Sequence, residues 1–287
     1  MQKYTLSDDM AIHDLYTFLY QEKGCDFLFP GERHDFWELI YVDQGYLYLL
    51  IDEAGYKVNQ GEMYFFNRNQ NHIVWSDHKT APCFLTISFD MEFADCAFFE
   101  HRKFLIDHEL KNIIAKLMNE RLAAFEGALT SEIGIKRTPC LAGSEQLLKI
   151  YLIELLLKLY RRGHEKSVNL APSPIIQQKS ENMIYNRSMS FITEHLHEKL
   201  LLEQISRSVH VSPSYLNRIY RNTSGMSVME HVAHLKLEKT KELIRESKMT
   251  LTEIADALGF SSIHYFSRLF KRHYGISPSA YSKSIRL

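Results

Sequence analysis

Two stretches of this chain, beginning at Leu202 and Leu251, repeat one pattern, and that repeat restricts what the last third can fold into. The first reads LEQISRSVHVSPSYLNRIYRNTSGMSVMEHV and the second LTEIADALGFSSIHYFSRLFKRHYGISPSAYS. Each opens on Leu-x-x-Ile and reaches a tight turn, at Val209-His210-Val211 or Leu258-Gly259-Phe260. Each then passes through Ser into a short helix with a basic end, and closes on Gly-x-Ser (Gly225, Ser227; Gly275, Ser277). A duplicated helix-turn-helix accounts for every one of these elements. Ile205 and Val209 in the first unit, and Ile254, Ala255 and Leu258 in the second, are expected to face the core. Gly259 supplies the backbone freedom of the turn, and Ser212 and Ser261 are expected to cap the helix that follows. His210 stands where Gly259 stands in the second unit, which predicts a looser first turn.

Around this repeat the pattern is helical from end to end: about 184–198, 201–209, 213–222, 227–246, 251–258, 262–274, and a last turn from Pro278. The chain before it is different. Residues 27–90 read as β: Phe36–Ile51 is rich in aromatic and β-branched residues around a turn at Asp43-Gln44-Gly45, and Met63–Phe66 and Cys83–Phe89 give further short strands. Short strands with Gly-marked turns predict a small barrel or sandwich. From Asp107 the period becomes helical, through Leu110, Ile113, Ile114, Leu117 and Leu122. It does so again over 146–161, where Leu147, Leu148, Tyr151, Leu152, Leu155, Leu156 and Leu159 cover more than one face. Such a helix is either buried or pairs with a copy of itself. The segment 163–180 carries two prolines and no clean period and reads as a linker. The fold class is therefore α+β in two domains, 1–162 and 181–287, joined by 163–180.

Charge divides the chain in the same place. From Glu181 onward there are 15 Lys and Arg against 10 Asp and Glu, a net of +5, whereas the whole chain carries −1. A basic end on an acidic body points to a polyanionic partner. Cys25, Cys83, Cys96 and Cys140 form no CxxC pair, so a disulfide framework or zinc site is not expected. No apolar run approaches the length of a membrane span, and the start shows no secretory pattern, so a cytoplasmic protein with no membrane partner is expected.

The second repeat closely resembles the signature of the AraC/XylS family of bacterial transcription regulators. The residues that carry the resemblance are Ile254, Ala255, Gly259, Phe260, Tyr265, Phe266, Ser267, Phe270, Lys271, Gly275, Pro278 and Tyr281, with Lys236, Lys239 and Leu243 upstream. It extends over about 181–287 and departs at Ser282, where the family usually has an arginine. The resemblance implies double-stranded DNA as partner, with RNA polymerase a further candidate. In a helix-turn-helix, the second helix enters the major groove and its outward N-terminal side chains reach base edges. Those are Ser214, Asn217 and Arg218 in the first unit, and Ile263, His264, Ser267 and Arg268 in the second. Arg218 and Arg268 suit guanine and Asn217 suits adenine, each by paired hydrogen bonds. Arg221, Lys271 and Arg272, with His273 beside them, are placed as phosphate contacts, which position the protein without specifying sequence.

The β region resembles the cupin-like sensor domain common in that family. Gly31-Glu32-Arg33-His34-Asp35-Phe36-Trp37-Glu38 followed by Gly45 looks like the first cupin motif, and Gly61-Glu62 through His72 like the second. Glu32 takes the place of the usual first histidine, and Asn67 and Asn69 those of the Pro and Gly. The expected ligand-binding set is Glu32, His34, Trp37, Glu38 and His72. Aromatic rings beside carboxylates would suit a sugar as effector. The preferred reading has these polar groups bonding one another or a small ligand, with no metal, no cofactor and no enzymatic activity. The alternatives are a metal-dependent cupin enzyme fused to a DNA-binding tail, and a regulator whose front domain only dimerises. A homodimer through 107–122 and 146–161 is expected in either regulator.

Overall fold

The computed structural model describes residues 3–131, 133–163, 168–169 and 172–284. They form two compact units, divided in sequence between Gln177 and Gln178.

The first unit is built on two facing sheets. One holds six strands in the order β1 (Met10–Glu22), β8 (Cys83–Phe93), β3 (Trp37–Gln44), β6 (Glu62–Phe66), β9 (Arg102–Leu105) and β10 (Val168–Asn169). The other holds β2 (Leu28–Glu32), β7 (His72–Trp75), β4 (Tyr46–Ile51) and β5 (Ala54–Asn59). The turn at Gly45 therefore does not close a hairpin but carries the chain from one sheet to the other. Its φ of +74° is a conformation that glycine adopts freely, and a Cβ there would lie 2.9 Å from the Thr80 side chain.

Alternation along the strands separates two apolar layers. Ile40, Val42, Leu49, Tyr64, Phe66, Val74 and Phe84 fill the space between the sheets. Trp37, Leu39, Tyr41, Phe65, Leu85, Ile87 and Phe89 point to the other side of the six-stranded sheet. That outer face is covered by α1 (His108–Ala124) and α2 (Ser144–Gly163), through Leu110, Ile113, Ile114 and Leu117 and through Leu148, Leu152, Leu155, Leu156 and Leu159. Asp107 caps α1 by accepting from the Leu110 amide. Leu122, read as part of the α1 apolar stripe, is instead exposed, as are Leu147 and Ile150 on α2.

The expected linker is only partly irregular. The helix α3 runs from Pro174 to Glu194, so residues 174–180 are its first two turns, and it both begins and ends earlier than the expected 184–198.

The second unit is helical, as its periodicity predicts. After α3 come α4 (Leu202–Ser208), α5 (Pro213–Ser224), α6 (Val228–Glu246), α7 (Leu251–Ala257), α8 (Ile263–Tyr274) and α9 (Pro278–Ser284). Gly225 and Gly275 end α5 and α8 in the left-handed conformation, at φ +75° and +79°. Two sequence expectations change at the turns. His210 adopts φ +53° beside +59° for Gly259, and the amides of Val211 and Phe260 close equivalent bonds, to Ser206 and Ala255 at 3.1 and 3.0 Å. The first turn is thus as tight as the second. The second turn is one residue longer, so the cap of α8 is Ser262, which accepts from the Tyr265 amide, and not Ser261; Ser212 caps α5 as expected.

Lys236 locks the middle of this unit. It is 5% exposed, and its Nζ donates to the carbonyls of Glu198 and Leu258, each at 2.6 Å, and of Gly259 at 3.4 Å. Burial pushes its amine down to about 8. A side chain on Gly259 would meet the Glu198 carbonyl carbon at 2.6 Å, so glycine there is fixed by packing as well as by φ.

Candidate functional site

The two helices that follow the turns, α5 and α8, share one construction. Leu216, Ile219 and Tyr220 on α5, and Phe266, Leu269 and Phe270 on α8, are buried. The opposite face of each helix is polar and basic. Ser214, Arg218 and Arg221 are exposed on α5, and His264, Arg268, Lys271 and Arg272 on α8, with Ile263 and Ser267 half-buried. Arg218 and Arg268 occupy equivalent positions, six residues beyond the capping serine. Arg218 lies over the Tyr215 ring at 4.7 Å and 3.9 Å from a Glu181 carboxylate oxygen. His273 lies 3.3 Å from His234 of α6, nitrogen to nitrogen, which couples it to that helix.

Asn217 does not fit the adenine-reading role expected from the sequence. Its Oδ1 accepts from the Val228 amide at 3.1 Å, at the first turn of α6. Paired hydrogen bonds to adenine need that oxygen. The side chain instead fixes α6 to α5, alongside a capping box in which Ser227 and Glu230 exchange bonds.

The second cluster lies in the first unit. On β2 Glu32 is opposite His72 of β7, and on β3 Glu38 is opposite Ser88 of β8. His34 sits in the loop between β2 and β3. One ligand-capable atom from each of Glu32, His34, Glu38 and His72 falls within 4.8 Å of all the others. The imidazole Nε2 of His34 is 3.8 Å from Glu32 and 3.9 Å from Glu38, and that of His72 is 3.7 Å from each.

Both rings are clamped. Phe36 stacks on His34 at 4.0 Å between centroids, and Phe66 on His72 at 4.2 Å. The Nδ1 atoms face carbonyls, Phe36 for His34 at 3.0 Å and Gln70 for His72 at 3.1 Å. Ser88 donates to Glu38 at 2.7 Å. Burial raises the Glu38 carboxyl to about 7 against the pull of His72 and Ser88. Burial, then the neighbouring His72, lowers His34. Burial also opposes charge on His72, but the facing Glu32 and Glu38 outweigh it and its pKa is raised. Asn69, at the glycine position of the second motif, takes φ +60°, a conformation asparagine tolerates better than most residues.

Glu32 and Glu38 border a cavity of about 230 Å³ between the sheets, whose walls include Phe29, Ile40, Phe84 and Thr86. The sequence reading misses Thr86 and Ser88. Their signal is two hydroxyls of one parity in the otherwise apolar run Phe84–Phe89 of β8. Trp37, expected at this site, has the opposite parity and packs in the outer layer with Leu39 and Tyr41, away from the cavity. Tyr48 and Trp75 stack on each other, at 5.7 Å between centroids, and neither borders the cavity.

Comparison with known proteins finds two domain families. Residues 14–136 match the model described as the AraC-like ligand binding domain, and residues 205–284 match a helix-turn-helix domain. The MmsAB operon regulatory protein of Pseudomonas aeruginosa is 26% identical, over 98% of this chain and 88% of its own. The HTH-type transcriptional activator RhaR of Pectobacterium carotovorum is 24% identical, over 96% and 93%. Among solved structures, the C-terminal domain of AraT, a response regulator from Geobacillus stearothermophilus, is 32% identical over 35% of this chain and 84% of its own, with a TM-score of 0.34.

Proposed function

Since the chain belongs to the AraC/XylS family of transcription regulators, with a ligand-binding domain ahead of a helix-turn-helix DNA-binding domain, we propose that α5 and α8 read its operator. In this reading, Arg218 and Arg268 contact guanine edges, while Ser214, Ile263, His264 and Ser267 supply the remaining base contacts. Arg221, Lys271 and Arg272 bind phosphates. The observation that carries this is the pair of equivalent exposed arginines on two identically capped helices. Arg268→Ala should weaken binding to the operator by about 1–3 kcal/mol and relax preference at one base pair, with little change on random duplex. Titration of both duplexes in a mobility-shift assay tests this, and equal losses on the two would refute base reading.

The first unit is the sensory part, holding a small oxygen-rich effector, such as a sugar, between the sheets. The cavity is small, and Glu32, Glu38 and Thr86 give it polar groups among phenyl rings. Such an effector shifts DNA affinity only to the extent that it binds one state of the regulator more tightly than the other. The exposed Leu122, Leu147 and Ile150 on α1 and α2 suit docking of a second copy of the chain. The relatives are regulators, and the same reading assigns this chain no catalytic step, a cytoplasmic location and RNA polymerase as a further partner. No helix among the described residues is long and apolar enough to cross a membrane.

A further inference from the structure

We propose that a second pocket of the first unit, on the helix-covered side of the six-stranded sheet, binds a free amino acid with an apolar side chain, through Asp14 and Lys149. The pocket begins with an irregularity in β1. Against β8, Ile12 pairs with Met91, Leu15 with Phe89 and Thr17 with Ser88, so β1 carries one extra residue in each interval. Two bulges in succession bend a strand and re-aim its side chains. Ile12, Leu15 and Phe18 consequently line one pocket, whereas regular alternation would send Leu15 to the other face. Leu117 of α1, Phe125, and Leu148 and Leu152 of α2 complete the apolar walls. The volume is about 350 Å³, against about 230 Å³ for the cavity between the sheets. That is the size of a small-molecule site.

The charges lie at the mouth. His13 faces Glu92 at 3.2 Å, and Glu145 is paired with Lys136. Asp14 and Lys149 are exposed, and among the described residues their side chains make no hydrogen bond or ion pair. One carboxylate and one ammonium, both unanswered, thus border a pocket that is otherwise largely apolar. A ligand with a single charge answers only one of them. An α-amino acid carries an ammonium and a carboxylate on one carbon, with its side chain projecting away from both, and so matches the two charges and the walls together. Walls of leucine and phenylalanine suit a branched or aromatic side chain. Glu145, Leu148, Lys149 and Leu152 follow the i, i+3, i+4, i+7 spacing and share one side of α2. The exposed Leu147 and Ile150 fall on another side, so a second copy docked there leaves the pocket open.

L-Phenylalanine is the probe, titrated calorimetrically into the full-length chain. Phenethylamine, which lacks the carboxylate, and 3-phenylpropanoate, which lacks the ammonium, are its single-charge controls. The expected result is one phenylalanine bound per chain, with each control about 10-fold weaker. Lys149→Ala should weaken phenylalanine about 10-fold and leave phenethylamine unchanged; Asp14→Asn should do the same for phenylalanine and leave 3-phenylpropanoate unchanged. Both side chains are exposed, so both variants should keep the circular dichroism of the wild type. Three results overturn the inference: no binding at about 10 mM, controls that bind as well as phenylalanine, or variants that bind phenylalanine as the wild type does. The effector role of the cavity between the sheets is tested separately, by sugar binding, so either idea can fail without the other.

Discussion

A histidine at φ +53° carries a conformational cost that a glycine does not, on the order of 1 kcal/mol. His210→Gly should therefore raise stability, by a few tenths to about 1 kcal/mol, read as a higher midpoint in urea. Gly259→Ala should do the reverse, and by more, because its Cβ would run into the Glu198 backbone as well as adopt the same φ. Asn217 and Arg218 are neighbours with opposite expected phenotypes. Asn217→Ala removes a half-buried bond to the start of α6, so thermal melting should show a loss of about 1 kcal/mol with base preference intact. Arg218→Ala should alter base preference, with a modest loss in melting temperature from its contacts to Tyr215 and Glu181. For Glu38 the linkage runs through a raised folded pKa. The folded chain binds more protons than the unfolded one between about 4.5 and 7, so stability should fall as pH rises through that window. Glu38→Gln should abolish that slope and stabilise the protein at pH 8, by at most roughly 3 kcal/mol. A slope that persists in the variant would assign the effect to another group.

Among the elements, those with a clean period and local caps were the legible ones. The α4–α9 segments lie close to their sequence-derived limits because apolar spacing, capping serines and terminal glycines all agree there. The strand β1 escaped because its pairing with β8 shifts register between Ile12 and Leu15 and again before Thr17, which erases two-residue alternation. The start of α3 is hidden because Pro174 reads as a breaker, whereas proline is favoured in the first turn of a helix. The misplaced cap has a related origin: Ser261 and Ser262 are adjacent, and only the extra residue in the second turn decides between them. Ser262→Ala should destabilise by about 1 kcal/mol and Ser261→Ala by little, as chemical denaturation of the two variants would report. At the cavity, the motif resemblance pointed to Glu32, His34 and Glu38, and parity along β3 separates Glu38 from Trp37. What parity could not give is the convergence of His72 from the second sheet, which depends on β2–β7 pairing.

For the whole molecule, the excess of positive charge after residue 181 makes DNA affinity strongly salt-dependent. Lys271→Ala and Arg272→Ala should each weaken specific and random binding alike and reduce the slope of log affinity against log salt by about 1. A variant that lost affinity on the operator alone would instead be a base reader. One further property follows from α6. It is a single helix of 19 residues, about 28 Å long, rooted at one end by Asn217 and the Ser227–Glu230 box. With α5 and α8 as the two reading heads, as proposed above, the interval between them is a covalent ruler and not the outcome of an association. An operator for one chain must keep its two subsites in a fixed phase and a fixed polarity. Inserting five base pairs between them turns the second groove to the far side of the duplex and should reduce binding to that of one head. Flipping one subsite should do the same, so the ruler makes drift in operator spacing far less tolerable than drift in operator sequence.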